Sequence, residues 1–313
     1  MNVLSLFDGI SAGQVALERA GIKVDKYYAS EIDKYAIKVT QKNYPDTIQI
    51  GDVTKVSYEN GILKYENVMQ DIGRIDLLIG GSPCQGFSFA GKQLNFEDER
   101  SKLFFEYVRL LEETKPKYFL LENVRMKKEY QDVIGSYLGV EPILIDSALV
   151  SGQIRKRLYW TNIPNVTQPE DKGILLKDVI ESGCVDREKS HAIIGSIGRT
   201  TKREYFKKNQ GQMVYTGGCI EVGKADLNGH DFLKRVYSVE GKCPTLTAVC
   251  GGNQERKIAI DDKHWRKLTP LECERLQTLP DNSTEGISDS RRYTAIGNGW
   301  TVDVIAHIFK RIE

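Results

Sequence analysis

Short apolar runs alternate with helix-period segments through the first half of the chain. Residues 3–7, 27–30, 47–50, 75–79, 118–121, 143–145 and 158–161 read as strands, and residues 14–20 and 33–43 as helices between them. The clearest helix covers 103–111, where Phe104, Tyr107, Val108 and Leu111 fall at i, i+3, i+4 and i+7 and share one face. Strands alternating with helices imply βαβ units. The expected fold is therefore α/β, a Rossmann-like, doubly wound and mostly parallel sheet covered on both faces.

The pattern changes after Pro164. Residues 165–265 are rich in Gly, Lys, Asn and Thr, with weak periodicity, which predicts a boundary near 162–165. Order returns at Thr269, Pro270, Leu271 and Glu272, where Thr caps, Pro suits the first helical position and Glu closes a capping box. That helix is predicted to run to about Leu279 and to stop at Pro280. Ile305, Ile308, Phe309 and Ile312 lie on one face of the last segment, so the C-terminus should dock back on the first unit. The chain thus reads as one unit, 1–164 with 266–313, interrupted by a smaller unit, 165–265.

Composition adjusts this picture only locally. The 44 Lys and Arg nearly balance the 43 Asp and Glu, so no overall basicity points to nucleic acid. One stretch departs from that balance: Arg199, Lys202, Arg203, Lys207 and Lys208 surround only Glu204, with Tyr205 and Phe206 interleaved. Such a patch suits phosphate contact, although a solvated face reads the same way. Nothing at the N-terminus has signal-peptide form, and no apolar stretch reaches membrane length. The six cysteines include no C-x-x-C and no zinc-like spacing with His, so reduced thiols, a cytoplasmic location and no metal are expected.

Two strand ends carry the candidate chemistry. Ser82, Pro83, Cys84 and Gln85 follow the run 75–79, and Glu122, Asn123 and Val124 follow the run 118–121. Parallel strands would bring a thiol and a carboxyl group to one edge of the sheet. That pair suits addition of a thiolate to C6 of a pyrimidine while the carboxyl group engages N3 and spreads the charge. A lone cysteine is also commonly a small buried hydrophobe. Gln153, Arg155 and Arg157 alternate along the next strand and would share a face able to hold a phosphate or the base.

The first strand turns into the first helix through Phe7, Asp8, Gly9, Ile10, Ser11, Ala12 and Gly13. This is not G-x-G-x-x-G, which argues against a dinucleotide. Glu31 and Asp52 end the next two strands; singly each reads as a cap. Together with Asp8 and Gly9 they outline an adenosine site without a pyrophosphate cradle, which S-adenosylmethionine fits better than NAD does.

Asp8-Gly9, Pro83-Cys84-Gln85, Glu122-Asn123-Val124, Gln153-x-Arg155-x-Arg157, Leu268-Thr269 with Arg275-Leu276-Gln277, and Gly297-Asn298 occur in that order. This series resembles that of the DNA (cytosine-5) methyltransferases over 1–163 and 266–313. The resemblance implies Cys84 as nucleophile, Glu122 at N3, and Arg155 and Arg157 supporting the base and its phosphate. It implies S-adenosylmethionine held by Phe7, Asp8, Gly9, Ser11, Gly13, Glu31, Ile32, Asp52, Val53, Ser82 and Asn298. Duplex DNA would be met by Gln85, Ser88, Gln153, Arg199, Lys202 and Arg203, with 85–100 closing over a flipped cytosine. A bacterial or phage-encoded monomer acting on double-stranded DNA is expected, either an orphan enzyme or one that shares its site with a cognate restriction endonuclease. The alternatives are a transfer-RNA cytosine-5 methyltransferase, disfavoured by Ser82 before Pro83-Cys84, and an inactive DNA-binding homologue. Two stretches, 103–111 and Gly299-Trp300-Thr301-Val302, look more like the eukaryotic de novo branch; bacterial members usually have Ser-Val after Gly-Asn.

Overall fold

The computed structural model describes residues 1–82, 99–179, 181, 221–227, 231–239, 242–243, 257–259, 265–267 and 269–313. Ten strands precede residue 165: β1 Asn2–Leu6, β2 Lys26–Ser30, β3 Ile48–Gln49, β4 Ser57–Glu59, β5 Ile62–Tyr65, β6 Val68–Asp71, β7 Leu77–Gly80, β8 Tyr118–Val124, β9 Ile143–Asp146 and β10 Lys156–Thr161. Seven of them form one sheet in the order β3-β2-β1-β7-β8-β10-β9. Neighbours from β3 to β8 run parallel, whereas β10 is antiparallel to both β8 and β9. Helices α1 Ala12–Arg19, α2 Lys34–Asn43, α3 Glu99–Thr114 and α4 Lys128–Leu138 connect the strands.

Alternation along each strand sends side chains to opposite faces. Val3, Leu77, Ile79, Tyr118 and Leu120 pack beneath α1 and the C-terminal helix Val302–Phe309. Leu4, Leu6, Leu78, Phe119 and Leu121 pack with Phe104, Tyr107, Ile134 and Leu138 of α3 and α4. Each fully buried side chain of this size contributes about 1.5–3 kcal/mol. The runs expected to be strands are apolar on both faces because both faces are covered.

The sheet changes direction of growth between β1 and β7. The chain leaves β1 through α1 on one face and leaves β7 through α3 on the other. A crevice opens beyond the carboxyl ends of these two strands, the usual place for a ligand in such sheets.

Local differences from the sequence reading have local causes. β4, β5 and β6 form an antiparallel meander that the sequence reading left unassigned. Arg109 of α3 pins the turn before it, donating to Val56 O at 2.8 Å, while Glu113 accepts from Tyr58 N at 2.8 Å. The capping box of Thr269 and Glu272 forms as expected. The helix nevertheless ends at Leu276 rather than near Leu279, because Thr278 turns left-handed at φ 53°. Helices α4 and Asp289–Asn298 were not anticipated either.

Residues 165–179 lie against the first unit, with Leu176 and Val179 in its core and Lys172 bonded to Asp303. Beyond them, β11 Glu221–Lys224, β12 Arg235–Tyr237, β13 Lys257–Ala259 and β14 Trp265–Lys267 make a four-stranded sheet in sequence order.

Candidate active site

The crevice holds a cavity of about 500 Å³, a size suited to a nucleoside-sized ligand. One end is built by the turn from β1 into α1. Phe7, Gly9 and Ser11 all take left-handed backbone, at φ 56°, 60° and 55°, which folds the turn tightly beneath the cavity. A Cβ on Gly9 would have no atom within 4 Å, so its bare backbone faces open space. Glu31 braces the turn from β2: Oε2 accepts from Gly9 N at 2.8 Å, and Oε1 accepts from Ile32 N at 2.7 Å and Asp33 N at 2.8 Å. A carboxylate offers roughly four acceptor sites, so Glu31 retains capacity for a ligand hydroxyl.

Asp8 turns inward. Its carboxylate accepts from Ser5 Oγ at 2.6 Å, Tyr27 OH at 2.7 Å and Ser11 Oγ. Burial pushes its pKa up to about 6 despite those hydroxyls, with Glu31 adding to the rise. Asp52 caps the turn at Val53–Lys55, its Oδ1 accepting from Thr54 N and Oγ1. Ile32 leaves 76% of its surface exposed at the cavity wall, the highest exposure of the large apolar residues among the described residues.

The other end of the cavity carries the acidic group. Arg157 on β10 pairs with Val124 on β8, and Glu122 pairs with Tyr159, so Arg157 and Glu122 are diagonal neighbours on one face. Arg157 Nε lies 2.9 Å from Glu122 Oε1, and both side chains are almost buried. Only the antiparallel insertion of β10 places the start of that strand beside the end of β8. Gly81 sits against the same carboxylate: a Cβ there would stand 3.2 Å from Glu122 Oε2 and 3.1 Å from Trp300 Nε1. Ser82 follows, its Oγ 3.4 Å from Asn123 Nδ2.

Of the residues singled out from sequence, Phe7, Asp8, Gly9, Glu31, Ile32, Asp52, Val53, Ser82, Glu122, Arg155, Arg157 and Asn298 line this cavity. Ser11 is fully buried beneath the turn, bonded to Asp8. Gly13 lies within α1, where a Cβ would meet Ile79 Cδ1 at 2.6 Å and Tyr27 OH at 2.9 Å; it lets the helix approach the sheet. Gln153 and Arg155 do not share a strand with Arg157, since β10 begins at Lys156 and both precede it. Gln153 lies in the loop before the strand. It is fully buried and donates to Leu276 O at 2.9 Å and Gln277 Oε1 at 3.1 Å. Cys84, Gln85, Ser88, Arg199, Lys202 and Arg203 lie outside the described residues, as does most of the 85–100 stretch.

Arg155 is also buried, with Nη2 donating to Gly297 O at 3.2 Å and Gly299 O at 2.9 Å. Gln277 shares that work, its Nε2 donating to Ile296 O at 2.9 Å and Gly299 O at 3.2 Å. Together they shape the turn that presents Asn298. The sequence reading quoted Gln277 without a role and missed Tyr35 and Arg291, which stack at 4.3 Å along the cavity rim. An aromatic residue in the first turn of α2 was the available signal for Tyr35.

Among the described residues, no group of three or more His, Cys, Asp or Glu is placed to hold a metal, and no helix is long and apolar enough to cross a membrane.

Comparison with known proteins bears on this arrangement. The chain is 30% identical over 331 residues to the type II methyltransferase M.HhaI of Haemophilus parahaemolyticus, covering 98% of this chain and 93% of that protein. It is 26% identical to the orphan methyltransferase M.Rho11sI of Bacillus phage rho11s, covering 100% and 97%. Among solved structures, Entamoeba histolytica methyltransferase EhMeth superposes with a TM-score of 0.68 at 17% identity, over 99% of this chain and 97% of that one. Dnmt2 of S. pombe gives 0.61 at 17%, over 98% and 96%. These two establish the fold. The family model for C-5 cytosine-specific DNA methylase matches residues 1–132 and 152–313, a span that takes in both ends of the cavity, and to that family the chain belongs.

Proposed function

We propose that this protein is a DNA (cytosine-5-)-methyltransferase that flips a cytosine from duplex DNA and methylates C5. The observation that carries the reading is the Glu122–Arg157 pair, set 2.9 Å apart at one end of a cavity whose other end is the Gly9 turn. S-adenosylmethionine, which the family implies, would supply an electrophilic methyl group. The lining residues fit it: exposed Ile32 offers an apolar wall, Glu31 spare acceptor capacity, and Gly9 a backbone without side-chain obstruction. Phe7, Asp52, Val53, Ser82 and Asn298 would complete the holding set, with Asp8 and Ser11 supporting the turn from below.

The protein's own groups act in sequence. Cys84 thiolate adds to C6 of the flipped base, forming an S–C6 bond and making C5 nucleophilic. The Glu122 carboxyl group engages N3 and spreads the charge that accumulates in the ring. Arg157 holds Glu122 in place, and Arg155 steadies the turn around Asn298. After C5 is methylated, its proton leaves to water or another base and the S–C6 bond breaks, restoring the thiolate.

Residues 165–265 would recognise the target, with Arg199, Lys202 and Arg203 on phosphates and Gln85 and Ser88 near the vacated base position. Buried Gln153 would support this surface from inside. A monomer in the cytoplasm of a bacterium, encoded by the host or a phage, completes the proposal, either as an orphan enzyme or beside a cognate restriction endonuclease. No metal is required.

Methylation-aware sequencing of DNA from a methylation-deficient host tests it. Expression of the wild-type chain should produce 5-methylcytosine in one sequence context, and Cys84→Ala should produce none. Absence of the mark in both cultures overturns the DNA reading and directs the assay to small RNAs. A denaturant-resistant adduct with 5-fluorocytosine DNA separates an active enzyme from a binding homologue.

A further inference from the structure

Lys242 carries its charge inside the protein. Only 7% of the residue is exposed, and its ammonium donates to Ala148 O at 3.0 Å, Ser151 O at 3.4 Å and Ile174 O. An ammonium has three N–H donors, and all three meet main-chain carbonyls here. A buried charge is tolerated only with its donors satisfied, so this contact fixes where those carbonyls sit. The next residue brackets the same segment: Cys243 N donates to Gly152 O, and Cys243 O accepts from Ile154 N at 2.6 Å.

Most of these contacts land on one closed loop, residues 147–155. Ser147 N donates to Arg155 O at 3.0 Å, and Asp146 Oδ1 accepts from both Ala148 N at 3.1 Å and Arg155 N at 3.0 Å. The loop's last residue, Arg155, holds the Gly297 and Gly299 carbonyls, and two residues on, Arg157 meets Glu122. Gln153, midway along, reaches Gln277. Lys242 and Cys243 themselves follow β12 of the small sheet. This closed, hydrogen-bonded loop therefore joins the segment after β12 to Arg155 and, two residues on, to Arg157.

We propose that Lys242 is a positioning residue that couples engagement of the target sequence to the placement of Arg155 and Arg157, and through Arg157 to Glu122. This rests on the reading of 165–265 as the DNA-recognising unit. Lys242 then sharpens discrimination between sequences without touching DNA.

The test uses the full chain, a duplex carrying the target found by sequencing, and the same duplex with one base pair changed. Lys242→Met keeps the aliphatic stem and removes the donors. It should slow single-turnover methylation of the target roughly tenfold to a hundredfold, the range expected for misplacement of a catalytic group by about 1 Å. Duplex affinity should change less than about threefold, so the rate ratio between the two duplexes shrinks. Lys242→Arg should recover part of that ratio. Parallel slowing on both duplexes, with the ratio unchanged, overturns the proposal. Hydrogen exchange on the wild-type protein gives a second reading should Lys242→Met not fold. Peptides covering 147–157 and 118–124 should gain protection with the target duplex and not with the changed one; equal protection overturns the coupling. Protection there without any in 165–267 removes the DNA-recognition reading instead, and the coupling with it.

Discussion

Arg157 Nε and Glu122 Oε1 lie 2.9 Å apart across the antiparallel β8–β10 pair, on the face of the sheet that opens into the cavity. The register puts them diagonal rather than opposite, so the guanidinium reaches along the strand to the carboxylate. A planar fork fits that geometry, and an ammonium does not reproduce it. Arg157→Lys should therefore lower single-turnover methylation roughly tenfold or more, and Glu122→Gln by about a hundredfold or more, with cofactor affinity retained. Calorimetric titration with S-adenosylhomocysteine beside the rate assay checks both halves; a Glu122→Gln protein at wild-type rate removes Glu122 from the reaction.

Glu31 accepts from the backbone amides of Gly9, in the turn after β1, and of Ile32 and Asp33, just past β2, and Ile32 presents its apolar side chain to the cavity. Glu31→Ala should weaken S-adenosylhomocysteine binding by about two orders of magnitude, since it leaves the part-buried Gly9 amide unmet and removes the acceptor proposed for a ligand hydroxyl. Ile32→Asp should weaken it less, by roughly tenfold, and leave the melting temperature within about 1 °C, because an exposed side chain supports no core. Titration calorimetry and thermal melts read the two effects apart.

Asp8 predicts a pH dependence of opposite sign to the usual carboxylate. Burial raises its pKa from 3.8 to about 6, so the folded chain binds the proton more tightly than the unfolded chain does. The stabilisation from this group is fully present below about pH 4 and is lost as pH rises through about 6. The difference is on the order of 2–3 kcal/mol. Asp8→Asn should flatten that part of the stability profile, measured by urea unfolding from pH 4 to pH 7. An unchanged slope contradicts the assignment to Asp8.

A methyl group on Gly81 would be tight between Glu122 Oε2, at 3.2 Å, and Trp300 Nε1, at 3.1 Å. Gly81→Ala should cut the methylation rate more than it lowers stability, because the carboxylate or the indole must give way by a few tenths of an ångström. Pairing it with Trp300→Phe, which removes the indole nitrogen, should restore part of the rate. Failure of the double variant to recover would place the obstruction at Glu122 alone.

The linear pattern of this chain determined a good deal. Two-sided apolar runs announced buried parallel strands, Thr269 with Glu272 announced a helix start, and the apolar face of 301–312 announced a C-terminal helix docked on the core. Glu31, Asp52 and Glu122 were legible because strand ends in such a sheet converge on one edge. What the pattern did not carry was pairing across distance. Periodicity does not say that β10 inserts antiparallel between β8 and β9, and that choice alone brings Arg157 to Glu122. It also grouped Gln153 and Arg155 with Arg157 on one strand, whereas the closed loop 147–155 holds both off the strand and turns Gln153 into the core against Gln277. Gly13 and Gly81 look alike as loop glycines in sequence, yet one spaces a helix from the sheet and the other a carboxylate from an indole. A residue's chemistry is local, but its partners are set by strand order and register, which only the packed chain decides.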